Sequence, residues 1–373
     1  MIRSNPEQHQ QQARQLPPAL MQVELLAGDE LSPEHLRAWT EIVEQRPELD
    51  SPFFRPEFTL AISQLRTRIE VAVIRDPYEI VGVIPFRRVS PVVGQPVGGR
   101  LSGAAGIICR DGIEIPLNEL LQRIHLSSWD FEDVPDSQRQ FAPYAFATSE
   151  SHYIDLSDGF QSYCELKKSE GSKRISKLNS LCRKLEREHG PVEFRFGDAR
   201  LDMLGHLIEH KSRQFHDTHH TNVFNFDWTT TLLADLLNSN SDTLRGNLST
   251  LSVGGQPIAI SYDLQSKHVL HGWFTTFDAA YCRYSPGSLL VLKIAEAAAA
   301  SGIERFDLGP GEQLFKQTLK SHSKSVYAGS LSNTTMRRWL KWGIHETKEW
   351  ISHSPARFTL DVLRPIKGWF DMK

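Results

Sequence analysis

One segment limits the architecture more than any other. Residues 268–309 read HVLHGWFTTFDAAYCRYSPGSLLVLKIAEAAAASGIERFDLG. The β-branched and aromatic run predicts a strand, AAYCRYSPG a short loop, and the apolar run from Pro286 a helix. Gly302 closes that helix, and IERFDLG predicts a second strand parallel to the first. A strand–helix–strand unit commits the chain to a sheet that is partly parallel, with a helix on its face. Proline at the first helical position lacks only an N–H that would be unpaired anyway. Gly287 and Ser288 then leave backbone N–H groups open where the helix dipole is positive. Two readings stand: a seat for a phosphate or pyrophosphate, or a tight turn in an ordinary connection.

The elements around this unit repeat. The chain of 373 residues is long enough for two domains. In the first part, helices are expected over 31–46, started by Ser32-Pro33, and over 57–66. Two apolar runs flank the turn Asp76-Pro77-Tyr78-Glu79, a hairpin pattern. A strand is expected at 105–109, a helix at 116–124 and a strand near 123–128. In the second part, VEFRF (192–196) predicts a strand, 201–215 and 226–239 predict helices, and Asp227 is a candidate N-cap. Three strands follow, turning at Gly254-Gly255 and at residues 265–267. After the opening unit come a short helix near 311–320 and a strand at 325–330. The fold class expected is mixed α/β, built as a tandem repeat of one domain type.

Between the two parts, residues 158–189 form a basic helical linker, broken at Glu170-Gly171 and stopped at Gly190-Pro191. Lys167, Lys168, Lys173, Arg174, Lys177, Arg183, Lys184 and Arg187 crowd it. It reads either as a solvated helix or as a binding surface. The expected organisation is a disordered glutamine-rich lead over 1–22, an N-terminal domain over 23–150, the linker over 151–190, a C-terminal domain over 191–330 and a tail over 331–373. In the tail Trp339, Trp342, Trp350 and Trp369 accompany a stripe of Met336, Leu340, Ile344, Thr347 and Ile351. Such a stripe packs on its own domain or touches a membrane peripherally.

Net charge is −3, so no global basic field marks the chain for nucleic acid. Four scattered cysteines, Cys109, Cys164, Cys182 and Cys282, form neither a disulfide framework nor a zinc cluster. With no spanning segment and no signal-peptide core, the expected location is the cytoplasm.

The stretches GQPIAISYDL, FDAAYCRYSPGSLL, GIERFDLGPGEQLFK and SVYAGSL resemble the GNAT acyltransferase superfamily in its CelD/BcsL-like branch. They are also similar to the FemABX transferases, which contain two fused GNAT-like domains. SPFFRPEF and VGVIPFRRV in the first part carry the same resemblance. It implies two tandem GNAT-like domains and an acyl-CoA, acetyl-CoA in the first instance, lying in the splayed sheet of the second. The family's pyrophosphate loop is Arg/Gln-x-x-Gly-x-Gly/Ala. Here Arg283 stands one residue too far from Gly287, and Leu289 replaces the last small residue. The donor-binding candidates are therefore Arg283, Tyr284, Gly287, Ser288 and Leu289.

Direct acyl transfer needs a proton acceptor and an oxyanion donor but no covalent nucleophile. His271 is a candidate base, sharing a strand face with Trp273, or a structural histidine. Asp307 ends the following strand, as a functional carboxylate or as a cap for the glycines after it. Lys316 forms an exposed ion pair with Glu312, or touches donor or acceptor as a lysine does at the matching place in the relatives. Asp278 shapes the turn before Arg283. His216, His219 and His220 lack metal-site spacing because Thr218 and Asn222 oppose a continuing helix, so no metal is expected. They read as a loop over the acceptor pocket, with His219, Lys211, Gln214 and Glu312 as substrate-side candidates.

The resemblance implies a sugar or polysaccharide-precursor acceptor and polysaccharide-synthesis machinery as partner. Two alternatives remain at this point. One is an aminoacyl-tRNA-dependent transferase, with the basic linker on tRNA. The other is a degenerate GNAT pair acting as a scaffold.

Overall fold

The computed structural model describes residues 14–332. The tail expected over 331–373 lies outside the described residues, except for Leu331 and Ser332, which end the last strand. The lead expected to run disordered to 22 is already built in from Arg14. Strand β1 (Arg14–Gln15) pairs in parallel with β7 (Ile113–Glu114). Leu16 and Met21 are buried, so this segment contributes apolar surface to the core.

The first half continues through β2 (Gln22–Ala27), α1 (Pro33–Gln45), α2 (Pro56–Ser63), β3 (Ile69–Arg75) and β4 (Ile80–Ser90). Ser32 caps α1 through a reciprocal capping box with His35. The Asp76 carboxylate accepts from Tyr78 and Glu79 N–H and sets the β3–β4 turn. Next come β5 (Val93–Gln95), β6 (Ile108–Cys109), β7, α3 (Leu117–Arg123), β8 (Ser128–Pro135) and β9 (Ala145–Asp155). The strand expected at 105–109 is reduced to β6. The one expected near 123–128 begins only at Ser128, because α3 runs to Arg123 and a turn with His125 at φ 55° intervenes.

The linker folds as α4 (Gly159–Ser169) and α5 (Arg174–His189), broken where expected, with Gly171 at φ 75°. The second half holds β10 (Val192–Arg195), α6 (Leu201–Asp217), α7 (Asp227–Leu237), β11 (Arg245–Val253), β12 (Gln256–Gln265), β13 (Val269–Phe277), α8 (Pro286–Ala300), β14 (Arg305–Pro310), α9 (Leu314–Leu319) and β15 (His322–Ser332). Asp227 is the first residue of α7 rather than its cap. Phe226 occupies the cap position without a side-chain bond.

The two halves share one order: a strand, two helices, an antiparallel meander, a helix and a parallel return strand. The parallel pairs are β5–β8 and β13–β14. The halves then exchange their ends. One sheet runs β10-β11-β12-β13-β14-β9-β15-β8-β5-β4-β3-β2, with β6 beside β4. So β9, ending the first half, pairs with β14 of the second, and β15, ending the second, pairs with β8 of the first. Residues 150 and 330, the expected domain limits, fall inside these exchanged strands.

Helices cover both faces. On one side of the second half, α6 and α7 pack over Leu248, Ile260, Tyr262 and Phe274, joined by Phe53, Phe58 and Leu101 from the first half. On the other, α4, α5 and α8 pack over Leu251, Ile258, Leu270 and Phe306. Fully buried Ala295 and Ala298 let α8 lie close on the sheet.

Candidate active site

Strands β13 and β14 are in register over only three residue pairs, Val269–His271 with Arg305–Asp307. Beyond His271, β13 runs on to Phe277 paired with β12 alone. The sheet therefore splits, and a cavity of about 600 Å³ opens in the split. Its mouth is the N-terminus of α8, where Ser285, Pro286, Gly287 and Ser288 line it. Phe306, Leu308 and Val291 form the apolar wall, and Lys211, Trp273 and Lys316 close the inner end.

The mouth is built from backbone and one linker side chain. Ser285 turns the chain at φ 55°, and Leu289 N is the amide that closes the first helical bond, onto Ser285 O. The amides of Gly287 and Ser288 precede it and are left for an external acceptor. A Cβ on Gly287 would stand 3.3 Å from the Phe277 ring, so glycine keeps this rim close-packed. Arg174, at the start of α5, donates from Nη2 to Ser288 Oγ at 2.8 Å. Its Nε is buried without a partner, and burial lowers its pKa. A cation and two open amides thus converge at one groove mouth. This is the donor set of an anion seat, and a diphosphate fits it.

Of the predicted donor ligands, Gly287 and Ser288 line the groove, whereas Arg283, Tyr284 and Leu289 do not. Arg283 turns to Glu188. Tyr284 is buried, its hydroxyl bonded to Glu188 and His189. Leu289 is in the core with its amide paired. The cation expected just before the turn is supplied instead by Arg174, more than a hundred residues earlier in the chain. The basic composition of 167–187 was the only signal for it, and that signal did not single out one residue. Asp278 accepts from Ala280 N and does shape the turn.

At the inner end, α6 brings Lys211, whose Nζ donates to Thr275 O and Gln214 Oε1 at 3.1 and 3.0 Å. Burial lowers its pKa. His219 sits in the exposed turn after α6 and does not line the groove. Lys316 does not pair with Glu312. Helix α9 starts only at Leu314, so the two do not share helical turns, and Lys316 Nζ donates to Pro310 O at 2.7 Å. Glu312 is exposed and accepts from Gln317.

His271 and Asp307 are register partners on the strand face opposite Phe306 and Leu308, and a Cβ on Gly309 would stand 4.0 Å from His271 Nε2 and 3.7 Å from Lys316 Nζ. His271 Nδ1 stands 4.0 Å from Asp307 Oδ2, and its ring meets Phe53 edge-on. Burial lowers the His271 pKa, against the opposing pull of Asp307. Burial works to raise Asp307, but Lys324, Arg305 and His271 outweigh it and keep the carboxylate ionised. Arg305 also donates to Asp50 O, tying this pair to the first half. The loop before β6 covers the His271 ring. A Cβ on Gly103 would reach its Nε2 at 2.6 Å.

The residue that sequence reasoning missed is Asp133. It lies on β8 of the first half, at a register shift against β15, with φ 57°. A non-glycine residue in this region is strained and is held there by its surroundings. Burial, then the neighbouring Glu132, pushes its carboxyl up to about 7, while Lys316 and Lys324 pull it down. Lys316 is reciprocally lowered to about 8, by burial first, with Asp133 opposing and Lys211 assisting. Asp133 does not itself line the groove, but it and Lys316, which does, feel each other's charge and are both shifted toward neutrality.

Splayed sheet, helix-mouth anion seat and paired halves together define a tandem GNAT-like scaffold. Residues 172–317 match the acetyltransferase (GNAT) domain family. The structure is similar to that of FemX, with 9% identity, covering 85% of this chain and 99% of that one at a TM-score of 0.56. It is also similar to the C-terminal (DUF2156) domain of a putative lysylphosphatidylglycerol synthetase from Agrobacterium fabrum. That match has 14% identity, covers 86% and 97% of the two chains, and has a TM-score of 0.52. At these identities the likeness concerns the fold. No curated protein matches the chain.

Proposed function

We propose that this protein transfers an acyl group, acetyl in the first instance, from an acyl-CoA to a sugar or polysaccharide-precursor amine or hydroxyl by direct attack. The observation that carries the reading is the meeting of Arg174 with the open α8 amides at the mouth of a groove made by the split of β13 from β14. The Arg174 guanidinium and the Gly287 and Ser288 amides would hold the diphosphate. The free edge of β13 would align an extended arm by main-chain hydrogen bonds, as an added strand is aligned. The bound donor supplies an activated thioester. Lys316 Nζ, charged below about pH 8, offers a cation to the negative charge developing on the carbonyl oxygen. Asp133, ionised above about pH 7, takes the proton from the attacking group. His271 and Asp307 hold β13 and β14 together where they diverge.

The acceptor class rests on the resemblance of the quoted stretches to CelD/BcsL-like proteins. Titration calorimetry with acetyl-CoA and free CoA tests the donor, and thiol release in the presence of amino and hydroxy sugars tests the acceptor. Donor binding that depends on Arg174 is expected. A chain that binds neither acetyl-CoA nor CoA overturns the reading.

A further inference from the structure

The surface beside the groove mouth carries a charge pattern that the groove itself does not need. From Lys173 to Lys184 the chain holds five basic residues and no acidic one. Arg174 turns into the groove, while Lys173, Lys177, Arg183, Lys184 and, further on, Arg187 are exposed. Cations in the first turn of a helix work against its dipole, so α5 gains no stability from Lys173. Lys173, Lys177 and Lys184 project on one flank of the helix, at i, i+4 and i+11. The helix borders the start of α8 at both ends: Arg174 donates to Ser288 Oγ, and Glu188, beside Lys184, holds Arg283 of the loop leading into α8. From Lys173 to Arg187 the row spans about 21 Å at 1.5 Å per residue. A single phosphomonoester cannot occupy such a length. The rim on the other side of the mouth is apolar and open, with Leu314 71% and Phe277 47% exposed.

Resting on the reading of the groove as a phosphopantetheine seat, we infer that the flank of α5 is a docking surface for an acidic acyl carrier protein. The carrier would deliver its acyl thioester on a protein-bound arm. The pattern fits one acidic helix laid along the basic row, with an apolar edge against Leu314 and Phe277. Long-range attraction of this kind speeds encounter and weakens with salt. The apolar rim and the single row favour a protein over a nucleic acid, whose phosphates ask for broad basic cover.

The test uses the full chain with four probes: an acidic acyl carrier protein bearing an acetylated phosphopantetheine arm, its apo form, acetyl-CoA, and bulk tRNA. The loaded carrier should bind and donate, with affinity falling about tenfold or more between about 50 and 200 mM salt. The combined change Lys173→Glu, Lys177→Glu and Lys184→Glu should weaken carrier binding about tenfold or more and leave acetyl-CoA affinity within about twofold. That unchanged affinity also certifies the variant as folded. Arg174→Ala should weaken both donors. The inference falls if wild type binds acetyl-CoA and ignores the loaded carrier. It falls equally if the triple change costs acetyl-CoA as much as carrier, or if tRNA displaces the carrier through the same lysines. Wild type binding neither donor would remove the groove reading as well.

Discussion

Arg174→Ala tests the donor groove most directly, because the side chain lines the groove and is bonded to Ser288 at the α8 N-terminus. Its bond to Ser288 Oγ is the structural contribution. Losing a single such bond should cost unliganded stability only about 0.5–1.5 kcal/mol. The guanidinium lines the groove and its Nη2 already points at the α8 N-terminus through Ser288, so a diphosphate at that terminus would meet a cation. A hydrogen bond to a charged partner there should contribute roughly 1.5–3 kcal/mol. Its removal should weaken acetyl-CoA binding roughly 10- to 150-fold. The effect is readable by thermal shift as well as calorimetry. At a ligand concentration giving wild type about 2.7 kcal/mol of stabilisation, a hundredfold weaker variant retains about 0.4 kcal/mol. Arg174→Lys should fall between, keeping the charge but not the planar fork. Arg283→Ala is the control, since that residue faces Glu188 and not the groove; its affinity should stay within about twofold. Wild-type affinity in an Arg174→Ala protein that melts normally would refute the assignment, because the other cations of the groove lining, Lys211 and Lys316, are bonded to Thr275 O and Pro310 O.

Three further outcomes follow from the same geometry. Gly287→Val should abolish measurable acetyl-CoA binding by calorimetry while the fold persists, since φ at 287 is ordinary and only the Phe277 ring, 3.3 Å from the new Cβ, must shift. The rate of acyl transfer should rise through about pH 7 as Asp133 ionises and fall above about 8 as Lys316 loses its proton, the two limbs belonging to the pair. Asp133→Asn should remove the acidic limb and lower kcat roughly 10²- to 10⁴-fold in a stopped thiol-release assay; an unchanged profile would take the base role away from it. Asp263, fully buried on β12 with one carboxyl oxygen unpaired, is raised by burial from 3.8 to about 7. A raised acid binds more protons folded than unfolded, so stability is greatest below pH 4 from this group and declines as pH rises through 7. The decline should reach at most about 4 kcal/mol, and Asp263→Asn should flatten it in denaturant titrations run across that range.

Much of the architecture was legible because it is local. Apolar periodicity, Ser32-Pro33, the Asp76 turn and the Pro286 start are set within a few residues of where they act, and α1, the β3–β4 turn and α8 stand close to their predicted places. What the sequence did not carry is contact between distant segments. Nothing in the alternation of β9 or β15 says that each will pair with the other half's strand. Arg174 was hidden among eight similar cations, and only the packing of α5 against α8 distinguishes it. Asp133 lies beyond the strand expected near 123–128, and its place at the register shift against β15, where it feels the charge of Lys316, depends on pairing between distant strands. Conversely, Arg283 looked right by proximity to the turn, but Glu188 at the end of α5 holds it outward. Proximity in sequence located the helix mouth. It could not tell which cation the folded chain would leave free there.

The two similar halves differ in what fills the space beside their parallel strand pair. The first half has the parallel pair that could open a groove, β5 with β8. There the space is filled by Phe53, Phe58, Val97 and Trp129, leaving a cavity of about 20 Å³. That half cannot accept a pantetheine arm without unpacking its own core, at a cost of several kcal/mol for such side chains. It serves as a wall instead. Because β15 pairs with both β8 and β9, the bulge at Asp133 is tied to the second half's sheet by backbone pairing. Phe53 and Gly103 likewise press on His271 from the first half. Donor binding should therefore depend on the second half and the linker alone, whereas catalysis needs both halves. Substitutions at Gly103 or Asp133 should lower kcat with acetyl-CoA affinity preserved, and the reverse pattern is expected at Arg174.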